Sequence, residues 1–131
     1  MKRGLIINGQ LLRAIADLGH GDRLAVADCG LPVPKGIQKI DLALVRGVPS
    51  FQDVVRAIIS EMVVQKAIVA EEMRVHNPRQ YEFVHSALQG IPIEEVSHAK
   101  FKELLCDVKV VVRTGEATPY SNMIFEAGVD F

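Results

Sequence analysis

Five side chains in this sequence could move protons or grip hydroxyls: His20, Asp28, His98, Tyr120 and Asn122. His20 comes just past a helical pattern, where the partial negative charge of a helix carboxyl end favours a protonated imidazole. His98 follows Ser97, a residue suited to capping the start of a helix, where the positive end favours the neutral ring. Two titratable groups biased in opposite directions allow an acid and a base to work at one pH. Each histidine also has a plainer use, His20 as a surface residue that caps a helix and His98 as a solvated first-turn residue. Asp28 closes an apolar run over residues 24–27, and the carboxyl end of a buried strand is where open α/β sheets hold ligands. An ion pair with Arg23 or Arg113 is the competing use of that carboxylate. Tyr120 and Asn122 supply a phenol and an amide that donate to and accept from several hydroxyls. By residue type alone, shaping a turn around Pro119 is their commoner use.

The other candidates carry less. Lys102 stands four residues after His98 and shares its helix face, most simply as a solvated charge. His85 falls within an apolar helix face and His76 precedes a cap, so both read as structural. Neither makes H-E-x-x-H or another metal spacing. Cys29 adjoins Asp28, whose charge disfavours a thiolate, and is expected to pack as a small residue. Cys29 and Cys106 lack C-x-x-C spacing and are expected to be free thiols in a reducing cytoplasm. No Walker loop, G-x-G-x-x-G or G-x-S-x-G is present, which leaves phosphates, dinucleotides and acyl-enzymes without support. Fifteen basic residues against sixteen acidic ones give no general attraction to nucleic acid or anionic membrane. The opening MKRG carries no signal-peptide apolar stretch, and no apolar run approaches the ~20 residues of a membrane span. What remains is a metal-free set of hydrogen-bonding groups suited to proton transfer on a polyol.

The elements that must position these groups alternate in type. Asn8 caps a helix over residues 9–18, with Leu11, Leu12, Ile15 and Leu18 on one stripe, and Gly19 is expected to end it in the left-handed conformation. Strands are expected over residues 24–28, 40–45, 66–72, 92–96 and 108–113. Ser50 and Asp53 form a capping pair for a helix ending near Met62. Asn77, Pro78 and Gly90 bound another, and Ser97 opens one that runs to about Cys106. The stretch GLPVPKG is a stiff loop behind Asp28. Residues 122–127 could form a closing strand or an extended arm. With 131 residues, 49% hydrophobic and 5% aromatic, the chain fits a single domain over residues 1–131 whose core is aliphatic. Strands alternating with helices imply an α/β fold, a three-layer α/β/α arrangement around a mostly parallel central sheet.

The stretches ADLGHGD around His20, ADCGLPVP around Asp28, KIDLAL, VPSFQDV, VSHAKFKELL around His98, and VVRTGEATPYSN around Tyr120 and Asn122 resemble the D-ribose pyranase family. The resemblance runs over nearly the whole chain, weakening from about residue 75 to 89, and Cys29 stands where a smaller residue is usual. It implies an isomerase that interconverts the pyranose and furanose forms of free D-ribose without a cofactor. It also implies His20 as the proton donor, Asp28, His98, Tyr120 and Asn122 as sugar-binding residues, and no metal. The same resemblance implies a cytoplasmic homo-oligomer, a decamer of two stacked pentameric rings with the sugar site completed at a subunit boundary. Two other functions compete with it: an L-fucose-type mutarotase, and a sugar-binding accessory protein of ribose uptake with no turnover of its own. The accessory protein would keep Asp28 and Asn122 but would not need the opposed histidines.

Overall fold

A computed structural model describes all residues from Met1 to Phe131. In chain order the elements are α1 (Gly9–Ala16), β1 (Arg23–Ala27), β2 (Gln38–Asp41), α2 (Phe51–Ile59), β3 (Val64–Ala70), α3 (Glu72–His76), α4 (Pro78–Ala87), β4 (Ile93–Val96), α5 (His98–Leu104), a 3-10 turn (Leu105–Asp107), β5 (Val110–Arg113) and β6 (Met123–Ala127). The strands form one six-stranded sheet in the order β2-β5-β1-β6-β3-β4. The pairs β2–β5, β5–β1 and β3–β4 are parallel, as the alternating pattern requires. β6 runs antiparallel between β1 and β3 and joins two parallel halves, so the segment left open between strand and arm is a central strand.

Strand alternation sends side chains to two cores and so makes three layers. Leu24, Val26, Val110, Val112, Met123 and Phe125 face α1, α2 and α4 through Leu11, Val54, Val55, Ile58 and Val84. Ala25, Ala27, Val111 and Ile124 face the other way and are covered by Phe101 and Leu105, with Leu31 from the stiff loop. The caps lie where the sequence puts them: Asn8, Ser50, Asn77 and Ser97 accept from the N–H groups of Leu11, Asp53, Gln80 and Lys100. No helix is long and apolar enough to cross a membrane.

Several boundaries differ from expectation, each for a local reason. α1 ends at Ala16, two residues early, and the left-handed glycine is Gly21 (φ 85°) rather than Gly19. The N–H of Gly19 is instead held by the Asp22 carboxylate, which closes the turn into β1. The strand expected over residues 40–45 is Gln38–Asp41, because its one neighbour, β5, ends at Arg113 opposite Asp41. Past that point the Asp41 carboxylate accepts from the N–H of Ala43 and turns the chain out of the sheet. The acidic end assigned to β3 is α3 in fact, since the chain turns directly after Ala70.

Candidate functional site

At the carboxyl ends of β1 and β5, a cleft of about 340 Å³ opens between the loop after β1, the start of α5 and the turn before β6. Asp28, Pro32, His98, Lys102 and Tyr120 line it. The position follows from topology: parallel strands deliver their loops to one edge, and α5 crosses that edge from the far face.

Asp28 and Asn122 hold each other. The backbone N–H of Asp28 donates to Asn122 Oδ1 at 2.8 Å, and Asn122 Nδ2 donates to Asp28 Oδ2 at 2.9 Å. Gly30 N–H binds the other carboxylate oxygen at 2.9 Å. The expected ion pairs lie elsewhere, since Arg23 binds Glu126 and Arg113 binds Asp41. Asp28 therefore presents an orientated carboxylate that makes no direct ion pair within its own chain. Asn122 is fully buried, so its amide serves first to fix Asp28.

Tyr120 has a left-handed backbone (φ 57°), a conformation rare for a bulky residue and costly enough to need outside support. The support is Asn77. Its Nδ2 lies within hydrogen-bond reach of Thr118 Oγ1, the Pro119 carbonyl and Ser121 Oγ, while its Oδ1 caps α4. The Tyr120 ring stands edge-on to His98, with centroids 5.1 Å apart, and lies 5.6 Å from His76.

His98 is the first residue of α5, as the Ser97 cap predicts. Its backbone N–H donates to both oxygens of Glu72. Burial pushes the Glu72 pKa up, but that N–H, Glu72's own N–H and the nearby His98 and His76 rings hold it below the usual carboxylate range. His98 Nδ1 is buried and has no partner in the chain. Buried polar atoms are ordinarily paired, so this ring nitrogen is an unsatisfied group on a residue that lines the cleft.

His20 lies apart from these four. It precedes β1 while Asp28 follows it, so the strand's five residues, at about 3.3 Å each, set roughly 16 Å of sheet between them. The ring is exposed, stands four residues beyond the end of α1, and binds Gln65 Oε1 through Nε2 at 2.9 Å. Helix-terminal charge falls off within the last turn, so its surroundings are set by β3 and β6 rather than by α1.

Three further residues contribute, one of them on a helix face already visible in the sequence. Lys102 lines the cleft rather than only meeting solvent, at the i+4 spacing from His98 that placed it on the same face. His76 packs on Tyr120, and Asn77 clamps its turn, but both contacts join segments more than 40 residues apart. Beside the cleft lies a wholly polar hollow of about 200 Å³, lined by Ser50, Gln52, Asn77, Gln80, Glu116 and Thr118 among others.

The RbsD / FucU transport protein family model matches residues 1–130. The chain is 50% identical to a D-ribose pyranase of Exiguobacterium sibiricum and 47% identical to one of Geobacillus thermodenitrificans, covering 100% of this chain in both and 100% and 99% of those relatives. It superposes on the structure of Bacillus subtilis RbsD complexed with D-ribose with a TM-score of 0.97 at 46% identity, each chain covered in full. It also shares its fold with the fucose mutarotase of Streptococcus pneumoniae, solved with L-fucose (TM-score 0.82, 20% identity, 95% of each chain). A match of this length and depth, on a fold whose loops converge on one polar cleft, places the chain in the RbsD/FucU family.

Proposed function

We propose that this protein is a D-ribose pyranase, an isomerase that interconverts the pyranose and furanose forms of free D-ribose. Full-length similarity to relatives of that name, and to an RbsD solved with the sugar, supports the reading. The observation that carries it is the cleft itself, where the carboxylate of Asp28, the phenol of Tyr120 and the imidazole of His98 line a volume suited to one monosaccharide. Asp28, His98 and Tyr120 bind the hydroxyls, and Asn122 takes part from behind by fixing Asp28.

Ring exchange needs the C1–O bond of the cyclic form to break. The ring oxygen takes a proton, the anomeric hydroxyl gives one up, and the carbonyl of the open aldehyde forms. Closure through a different hydroxyl reverses both transfers and changes ring size, with no net proton and no redox change. Positioned acids and bases contribute about 10²- to 10⁴-fold to such transfers. His20 is the donor in this reading. Within one chain it lies at the wrong edge of the sheet, so the His20 that acts on a given cleft belongs to a neighbouring subunit. A homo-oligomer with sites at subunit boundaries follows from that reading, and the family resemblance implies a decamer of two stacked pentamers acting on free sugar in the cytoplasm. Leu5, Ile7, Leu44, Val45 and Val48 are all at least half exposed and offer apolar surface for such contacts.

Magnetisation-transfer NMR at equilibrium, on ribose and on fucose, tests the function. Faster exchange between ribose ring forms is expected, abolished by His20→Ala with most ribose affinity kept, because a proton donor contributes chiefly in the transition state. Enhancement for fucose anomers alone would indicate a mutarotase, and enhancement for neither sugar a binding protein without turnover.

A further inference from the structure

Either nitrogen of the His20 ring could exchange the proton with the sugar. A chain of hydrogen bonds fixes which one does. Arg23 Nε and Nη2 donate to Glu126 Oε2 at 3.0 and 2.9 Å, and Gln65 Nε2 donates to Glu126 Oε1 at 2.9 Å. The hydrogen bonds from Gln65 and then from Arg23 hold the Glu126 pKa below the usual carboxylate range. An ionised carboxylate can only accept, so the Gln65 amide must turn its NH2 to Glu126 and its oxygen away. That oxygen lies 2.9 Å from His20 Nε2. Because the oxygen also can only accept, Nε2 must carry the hydrogen. Nδ1 makes no hydrogen bond within the chain, and the ring is exposed.

We propose that Gln65, orientated by Glu126 and Arg23, is a positioning residue that holds His20 as the Nε2–H tautomer and leaves Nδ1 as the atom that trades protons with the sugar. The inference rests on His20 being the acid. In the forward step the imidazolium gives its Nδ1 proton to the ring oxygen as the C1–O bond breaks, and the anomeric hydroxyl loses its own proton to an acceptor in the cleft. The histidine left behind is neutral and keeps the Nε2–H that Gln65 already holds, so no ring flip or tautomer change interrupts the cycle. On reclosure Nδ1 takes a proton back from the hydroxyl that attacks the carbonyl, and the carbonyl oxygen recovers its proton from the same acceptor, so both groups return to their starting forms. Sequence alone points to none of this, because His20, Gln65 and Glu126 come from three separate segments that meet only where β6 runs antiparallel beside β3.

The test is magic-angle-spinning NMR of the intact protein with ¹⁵N- and ¹³C-labelled histidine, the His20 signals being assigned by their loss in His20→Ala. With the ring neutral, the expected spectrum has a protonated Nε2 and a bare Nδ1. Gln65→Met keeps the side chain's length but removes the acceptor. It should give a mixture of tautomers and lower kcat for ribose ring exchange about tenfold or more, with KM little changed. A neutral Nδ1–H tautomer in the active natural protein would overturn the relay while leaving His20 as the acid. So would Gln65→Met that keeps both tautomer and rate. Full ring exchange by His20→Ala would instead overturn the acid assignment and, with it, the role given to Nδ1.

Discussion

Asn122 shows how a residue's type and its surroundings can suggest different roles. An amide in a turn rich in Thr, Pro, Tyr and Ser reads as a free sugar ligand with little core to support. Buried, it takes the N–H of Asp28 and gives its own N–H to the carboxylate of the same residue. Asn122→Ala is therefore expected to lower stability by about 1 to 3 kcal/mol as well as to weaken ribose binding, because it strands a backbone donor and frees the carboxylate to wander. Denaturant unfolding and calorimetry on the same variant measure the two effects. Unchanged stability with lost affinity would return Asn122 to the role of direct ligand alone. His98→Ala should act more simply, weakening ribose binding without emptying the core, since the core residue beneath it is Phe101.

At the scale of elements, what the sequence discloses depends on how local the cause is. Caps and amphipathic stripes involve residues three or four apart, so Asn8, Ser50, Asn77 and Ser97 announce helix starts that the structure keeps. Strand ends depend on the partner strand, which is why the alternation of residues 40–45 runs past the point where β5 stops. The Val45–Pro49 turn depends on a contact with residue 115 that no local pattern reveals. A Cβ at Gly115 would collide with the Val48 carbonyl oxygen and stand 2.6 Å from that of Val45, both backbone atoms that cannot turn aside. The N–H of Gly115 also donates to the Pro49 carbonyl. Gly115→Ala is expected to displace this turn and cost about 1 to 3 kcal/mol, as overpacking commonly does. Thermal unfolding checks it, and a melting temperature within a degree of the natural protein's would contradict it.

At the scale of the whole molecule, the sequence places His20 and Asp28 on either side of one strand, and the fold sets them at opposite ends of it. The strand pattern around residues 24–27 places a histidine before it and an aspartate after it, and a rigid five-residue strand cannot bring its own ends together. The resemblance supplied the boundary site. With His20 proposed as the donor, the same separation calls for a donor from a second subunit. Light scattering should accordingly find a single large species, and a fully active monomer would contradict it.

The most direct test mixes two inactive proteins. His20→Ala keeps a sound cleft but lacks the donor, while Asp28→Asn keeps the donor but lacks the carboxylate. Dissociated together and reassembled in equal amounts, they should form about a quarter of boundaries with a natural cleft on one side and a natural His20 on the other. Magnetisation transfer on ribose should then recover in proportion, although each variant alone is inactive. No recovery in a mixture shown by mass spectrometry to contain both chains in one oligomer would contradict a site shared between subunits.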